Sequence, residues 1–201
     1  MPSAETILNG LSEIANEYTS LAIMWHFAFL VFVIFLFTGW RPSKKIAGII
    51  LSFPLITVSA LAFGSGNPFN GTTFAVFAVL LIIFGIRMPD ERINIKLNFN
   101  SVLGVLVIIF GWVYPHFLND AEFFKYFYAS PMGLVPCPTL STVIGFTLLF
   151  NHFGKKTWPV ILSIAGLFYG IFGMFRLGVT LDIGLLIGAL GLLGVTLFDK
   201  K

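Results

Sequence analysis

Pro131-Met-Gly-Leu-Val-Pro-Cys-Pro-Thr139 places the one cysteine of the chain between two prolines, at the point where a strongly apolar run begins. Proline has no backbone donor and restricts the residue before it, so Pro131, Pro136 and Pro138 forbid regular helix until about residue 138. The run from 138 to 153 then reads as a membrane-crossing helix with Cys137 at its first turn. The cysteine is a helix-start residue at a boundary between loop and bilayer, and a single thiol excludes an internal disulfide.

Working outward, the composition says what surrounds that helix. Of the 201 residues 57% are hydrophobic and 10% charged, with a mean hydropathy of +0.94. Soluble domains carry about 45 to 50% apolar residues, so the chain belongs in a lipid bilayer. The formal charge of +3 does not point to nucleic acid, because the cations sit in short clusters at the ends of apolar runs. Met1 to Tyr18 holds Glu5, Glu13 and Glu17 but no Lys or Arg. It lacks the cationic start of a signal peptide and is expected to stay in the mature protein.

A hydrocarbon core of ~30 Å needs about 20 apolar residues per crossing helix. Seven runs are candidates, several of them short of that length, at 20–40, 46–63, 72–86, 100–117, 138–153, 158–175 and 179–198. The expected fold is an all-α integral membrane protein, with a single seven-helix domain over 20–201 behind an outer-face amphipathic segment at 1–19. In that segment Ile7, Leu8, Leu11, Ile14 and Tyr18 recur at helical spacing and Ser3 is placed to cap the first turn. It is expected to lie on the membrane surface.

Cytoplasmic loops collect Lys and Arg. Arg41, Lys44 and Lys45 follow the first run, Arg87, Arg92 and Lys96 the third, Lys155 and Lys156 the fifth, and Lys200 and Lys201 the seventh. Only Lys125 and Arg176 fall on the other side. The N-terminus is therefore expected outside and the C-terminus inside an inner (plasma) membrane. The outer loop 118–136 is rich in aromatics, from Phe123 to Tyr128, which settle at headgroup level. Gly166, Gly170 and Gly173 form one glycine stripe and Gly184, Gly188 and Gly191 another, and such stripes let helices approach closely. Lys44-Lys45 before Ile50-Leu51-Ser52 and Lys155-Lys156 before Ile161-Leu162-Ser163 suggest a three-plus-one-plus-three parallel repeat. The competing reading is that any basic loop before an apolar span looks alike.

Arg41-Pro-Ser-Lys44, Gly133-Leu-Val-Pro-Cys-Pro-Thr139 and Leu177-Gly-Val179 through Asp182-Ile-Gly-Leu185 run through nearly the whole chain. Through them it resembles an uncharacterised family of bacterial multi-spanning membrane proteins, a domain of unknown function with a Pro-Cys-Pro-Thr core. The resemblance implies a membrane fold and location but no chemistry. Leu140 stands where that family has a second threonine, and Leu181 where it has an acidic residue.

Ionisable residues inside spans are costly and tend to be functional. His26, His116, Cys137, Arg176 and Asp182 are all expected near the outer face, and His152 at the inner one. Arg176 and Asp182 are six residues apart across an outer turn, close enough to pair. Cys137, His116 and His26 are candidate ligands for a soft metal ion, with Met24 and Met132 as weaker ones. The alternative is that Cys137 is a small residue tolerated beside prolines, His116 an interfacial anchor and His26 a packed, hydrogen-bonded side chain.

The leading functional expectation is binding or transport of a small solute or ion through an outer-facing vestibule near Cys137, His116, Arg176 and Asp182. Two other readings stay open. One is a membrane-embedded enzyme or a thiol or metal sensor that uses Cys137, and the other a partner subunit whose glycine-striped helices pack on another protein. Hydrolysis is disfavoured by the missing glycine-flanked serine elbow, and no intramembrane lysine is present to hold retinal. Substrate, oligomeric state and partners beyond the bilayer are not encoded in any motif of the chain.

Overall fold

The computed structural model describes residues 3–119 and 122–198; Lys200 and Lys201 lie outside them. The described chain is all-helical, 78% helix with no strands. Its helices are α1 (Ala4–Glu17), α2 (Thr19–Phe37), α3 (Lys44–Gly64), α4 (Pro68–Ile86), α5 (Phe99–Val113), α6 (Tyr126–Ala129), α7 (Pro136–Leu149), α8 (Thr157–Ile171) and α9 (Ile183–Phe198). A π turn, Phe172–Arg176, prolongs α8, and a 3-10 turn, Thr180–Asp182, leads into α9.

Five helices are long and apolar enough to cross a membrane: α2, α3, α4, α8 with its π turn, and α9 with its 3-10 turn. Their outward faces are apolar, with Phe27, Phe37 and Phe175 all more than 60% exposed. A helix surface of that kind is at home against lipid. The other two apolar helices, α5 and α7, have 15 and 14 residues, which at 1.5 Å per residue is about 22 and 21 Å. Both fall short of the expected 100–117 and 138–153. Tyr114 precedes Pro115 and takes a non-helical conformation, which stops α5 early. Beyond α7, Asn151, His152 and Phe153 have φ of 52°, 43° and 56°, a left-handed turn that no helix continues through.

Capping chemistry sets several starts. Ser3 accepts the Thr6 N–H, Ser43 the Ile46 N–H and Asn67 the Asn70 N–H. Asn98 and Ser101 form a reciprocal capping box. At α7 the helix begins at Pro136, two residues earlier than expected. The first N–H groups of a helix have no intrahelical acceptor, so Pro136 and Pro138 both fit in the first turn without losing a bond.

Glycines fix the packing. Gly104 meets Gly145 backbone to backbone and Gly111 meets Pro138 and Thr142, so α5 and α7 run antiparallel in close contact. Gly166 and Gly170 of α8 face Ala189 and Leu186 of α9, while Gly184, Gly188 and Gly191 of α9 face Phe110, Val107 and Leu103 of α5. The two glycine stripes are thus helix-packing surfaces. Gly48 of α3 faces Gly85 of α4.

This packing makes α7 the central helix. From Ala129 to Leu148 every residue except Cys137 is buried. The Pro131 stretch is therefore an interior segment rather than a boundary between loop and bilayer. Its irregular backbone is tolerated because partners surround it. Thr139 Oγ1 accepts the Gly133 N–H (2.9 Å) and donates to Val135 O (2.6 Å), and Thr57 Oγ1 donates to Gly133 O (2.7 Å).

Two ends result. At one, the loops after α2, α4 and α7 meet: Ile93 N–H bonds Pro42 O, Lys44 N–H bonds Glu91 O, and Lys44 Nζ pairs with Glu91 at 2.7 Å. Arg41, Lys44, Lys45, Arg87, Arg92, Lys96, Lys155 and Lys156 gather there. At the opposite end α1 does not lie free on a surface. Ser12 and Asn16 donate to the carbonyl of Phe117, and Leu11 and Ile14 pack on Leu134 and Val135, so α1 covers the end of the bundle.

Candidate functional site

Asp182 closes the 3-10 turn before α9, and its side chain is 1% exposed. The turn is held by Val179 N–H to Gly173 O (2.9 Å) and Asp182 N–H to Val179 O (3.0 Å). These bonds aim the carboxyl back at Gly173 of the π turn, and a β-carbon on Gly173 would fall on the Asp182 oxygen. The missing side chain makes the space that the acid fills.

Two donors reach the carboxyl from two other helix ends. Tyr114, fully buried just past α5, donates its hydroxyl to Oδ1 at 2.7 Å. Cys137, in the first turn of α7, donates its S–H to Oδ2 at 3.2 Å. Phe110 and Phe117 flank the Tyr114 ring. An acid in an apolar interior is costly unless its oxygens are satisfied, and here both neutral donors point at it. Between described residues, Lys44–Glu91 at the far end is the one ion pair.

Compared with family models, curated proteins and solved structures, the chain matches none.

Of the residues singled out from sequence, the structure brings Cys137 and Asp182 together and separates the rest. Asp182 spends its two oxygens on Tyr114 and Cys137 and forms no ion pair with Arg176, which is exposed at the end of the π turn. The His26 ring nitrogens lie 2.8 and 3.0 Å from the carbonyl oxygens of Ala22 and Trp112, and its ring meets Trp112 edge-on. His116 is half-buried against Phe117, their rings 4.3 Å apart, and burial pushes its imidazole below the usual range. Met132 is fully buried and Met24 is 62% exposed on α2.

The soft-metal arrangement of Cys137, His116 and His26 is therefore not assembled, and among the described residues no group of three His, Cys, Asp or Glu is placed to hold a metal. His26 is a packed, bonded histidine whose partners are carbonyls. Equilibrium dialysis against zinc and copper is expected to give equal occupancy for the wild type and Cys137→Ala; a drop in the variant would restore the ligand reading.

Tyr114 and Gly173 are parts of the Asp182 cluster that sequence reasoning did not connect with it. Gly173 was visible only as a member of a packing stripe. Tyr114 carried one usable signal: a polar aromatic immediately before a proline at the end of an apolar run, where the chain must leave the helix and turn the ring inward.

Proposed function

We propose that this chain is a seven-span protein of the inner (plasma) membrane, N-terminus outside, in which Asp182 is a proton-binding carboxyl that links protonation to passage of a small solute. The observation that carries this reading is the buried Asp182 carboxyl, bonded among the described residues to Tyr114 OH and Cys137 SH. An intramembrane acid facing the bundle interior is the usual mark of an ion or proton pathway. Both contacts come from donor hydrogens, so the cluster complements the ionised carboxylate and offers a metal ion few lone pairs. Taking up a proton would remove the charge that those donors satisfy, which links protonation to release of the cluster.

The close antiparallel packing of α5 on α7, and of α5 on the long helix α9, supports counting α5 and α7 as crossings too. The cationic loops gathered at one end support placing that end in the cytoplasm. The Asp182 cluster then sits toward the outer face, in a closed arrangement. Opening the α8–α9 contact at Gly173 would expose the carboxyl, and closing it would return the acid to its two donors.

The test is proton movement in reconstituted vesicles carrying an internal pH dye. Wild-type vesicles are expected to dissipate an imposed pH gradient faster than empty ones, and Asp182→Asn vesicles no faster than empty ones. Equal rates for wild type and Asp182→Asn would overturn the assignment. The 3.2 Å Cys137–Asp182 contact also supports a second reading, Cys137 as a reactive thiol with Asp182 as its base. That reading requires rapid maleimide labelling of Cys137 in the folded protein and loss of the labelling in Asp182→Asn.

A further inference from the structure

In the stretch Arg41-Pro-Ser-Lys44, the last three residues have structural work. Pro42 O accepts the Ile93 N–H, Ser43 caps α3, and Lys44 pairs with Glu91. Arg41 is different: it is half-buried and forms no hydrogen bond or ion pair with a described residue. It stands at one end of a cavity of about 380 Å³ between α2 and α5, floored by Phe146 of α7. Leu30, Val33, Val105 and Ile109 form the walls, so Arg41 is the one charge in an otherwise apolar cleft.

The cleft follows α5 from Trp112 to Val105, and a second cavity sharing Ile95, Val105 and Leu149 continues to Ser101. The twelve residues from Ser101 to Trp112 are about 18 Å of helix, somewhat more than half of a hydrocarbon core of ~30 Å. The groove thus has the depth of one leaflet and opens beside the cationic end. Guanidinium binds phosphate with a planar fork of donors.

We infer that this cleft is a binding site for one anionic phospholipid of the leaflet at the cationic end, with an acyl chain along α5 and the headgroup phosphate on Arg41. Length, apolar walls and a charge without a partner among the described residues all match that one occupant. The assignment rests on the membrane setting but not on Asp182. The Asp182→Asn variant is accordingly expected to bind lipid as the wild type does, which separates failure of one proposal from failure of the other.

Native mass spectrometry of the micellar protein, titrated with phosphatidylglycerol or phosphatidylcholine of identical chains, tests it. Wild type is expected to retain phosphatidylglycerol about ten-fold better, the effect of one charge-assisted contact. Arg41→Gln should bring it down to the phosphatidylcholine level, while Lys45→Gln, at the same end but outside the cleft, should leave the preference intact. Leu30→Trp, at a position 45% exposed, fills the groove without disturbing the core and should weaken both lipids. Equal retention of the two lipids by wild type would overturn the site. So would an equal loss in Lys45→Gln, which would mean diffuse attraction, or a lipid-free dimer with the cleft covered by a second copy.

Discussion

Gly133→Ala is expected to be the most damaging single methyl group that can be added to this protein, destabilising it by about 2 to 5 kcal/mol. Two independent terms add. Gly133 has φ of +79°, and an L-residue in that left-handed region costs roughly 1 to 2 kcal/mol. The new β-carbon would also run into the indole ring of Trp25, and overpacking a filled site costs about 1 to 3 kcal/mol. Trp25 cannot simply swing away, because its indole N–H donates to Thr57 Oγ1 (3.2 Å), and the same hydroxyl bonds Gly133 O. The measurement is reversible unfolding in mixed micelles for Gly133→Ala, Trp25→Ala and the pair. The double variant should be more stable than the sum of the single losses implies, by at least about 1 kcal/mol, since removing the ring relieves the clash and leaves only the backbone term. Strict additivity would show that the segment around Gly133 has room to move and is not packed as described.

Gly173→Ala is expected to follow closely, and it adds a functional loss. The β-carbon falls on the Asp182 carboxyl, so either the π turn separates from α9 or the acid leaves its place. Steric cost is again about 1 to 3 kcal/mol. Displacing the carboxyl strips Tyr114 of its acceptor, and a buried donor left unmade costs about another 1 to 3 kcal/mol. Proton movement in vesicles should fall to the level of Asp182→Asn even in the fraction that remains folded. Asp182→Ala frees the space and should make Gly173→Ala nearly harmless in that background. If Gly173→Ala is as well tolerated as Gly166→Ala, where the neighbours are the side-chain atoms of Ile144, Ala189 and Leu185, the carboxyl is not where the π turn places it.

These two positions mark what was legible in the sequence. Apolar runs, cationic clusters and glycine stripes are local patterns, and the helices, their order and the faces they pack on follow from them. Ser3 could be recognised as a cap because capping needs only its own first turn. The Tyr114–Asp182–Cys137 cluster was not legible, because its members are 45 and 68 residues apart along the chain and only the packing of α7 and α9, each antiparallel to α5, closes those distances. The centrality of α7 was hidden for a related reason. In the sequence it is one apolar run among seven, whereas in a helix surrounded by other helices its Thr, Ser and Gly are what lets the neighbours approach. The paired histidine and cysteine expectation failed because residue type says which atoms can bind a metal but not which way a helix turns them.

The hydroxyls of α7 carry one more implication, for how the protein enters the bilayer. Thr139, Ser141, Thr142 and Thr147 are buried, and each donates to the carbonyl four residues earlier. That arrangement hides polarity from neighbours, yet a 14-residue helix with so many hydroxyls is a poor candidate for independent release into lipid, where about 20 apolar residues are the norm. With α7 as one of the seven proposed crossings, the translocon should hold it beside α5 until α8 and α9 have emerged, and chains truncated after residue 156 should leave it outside the membrane.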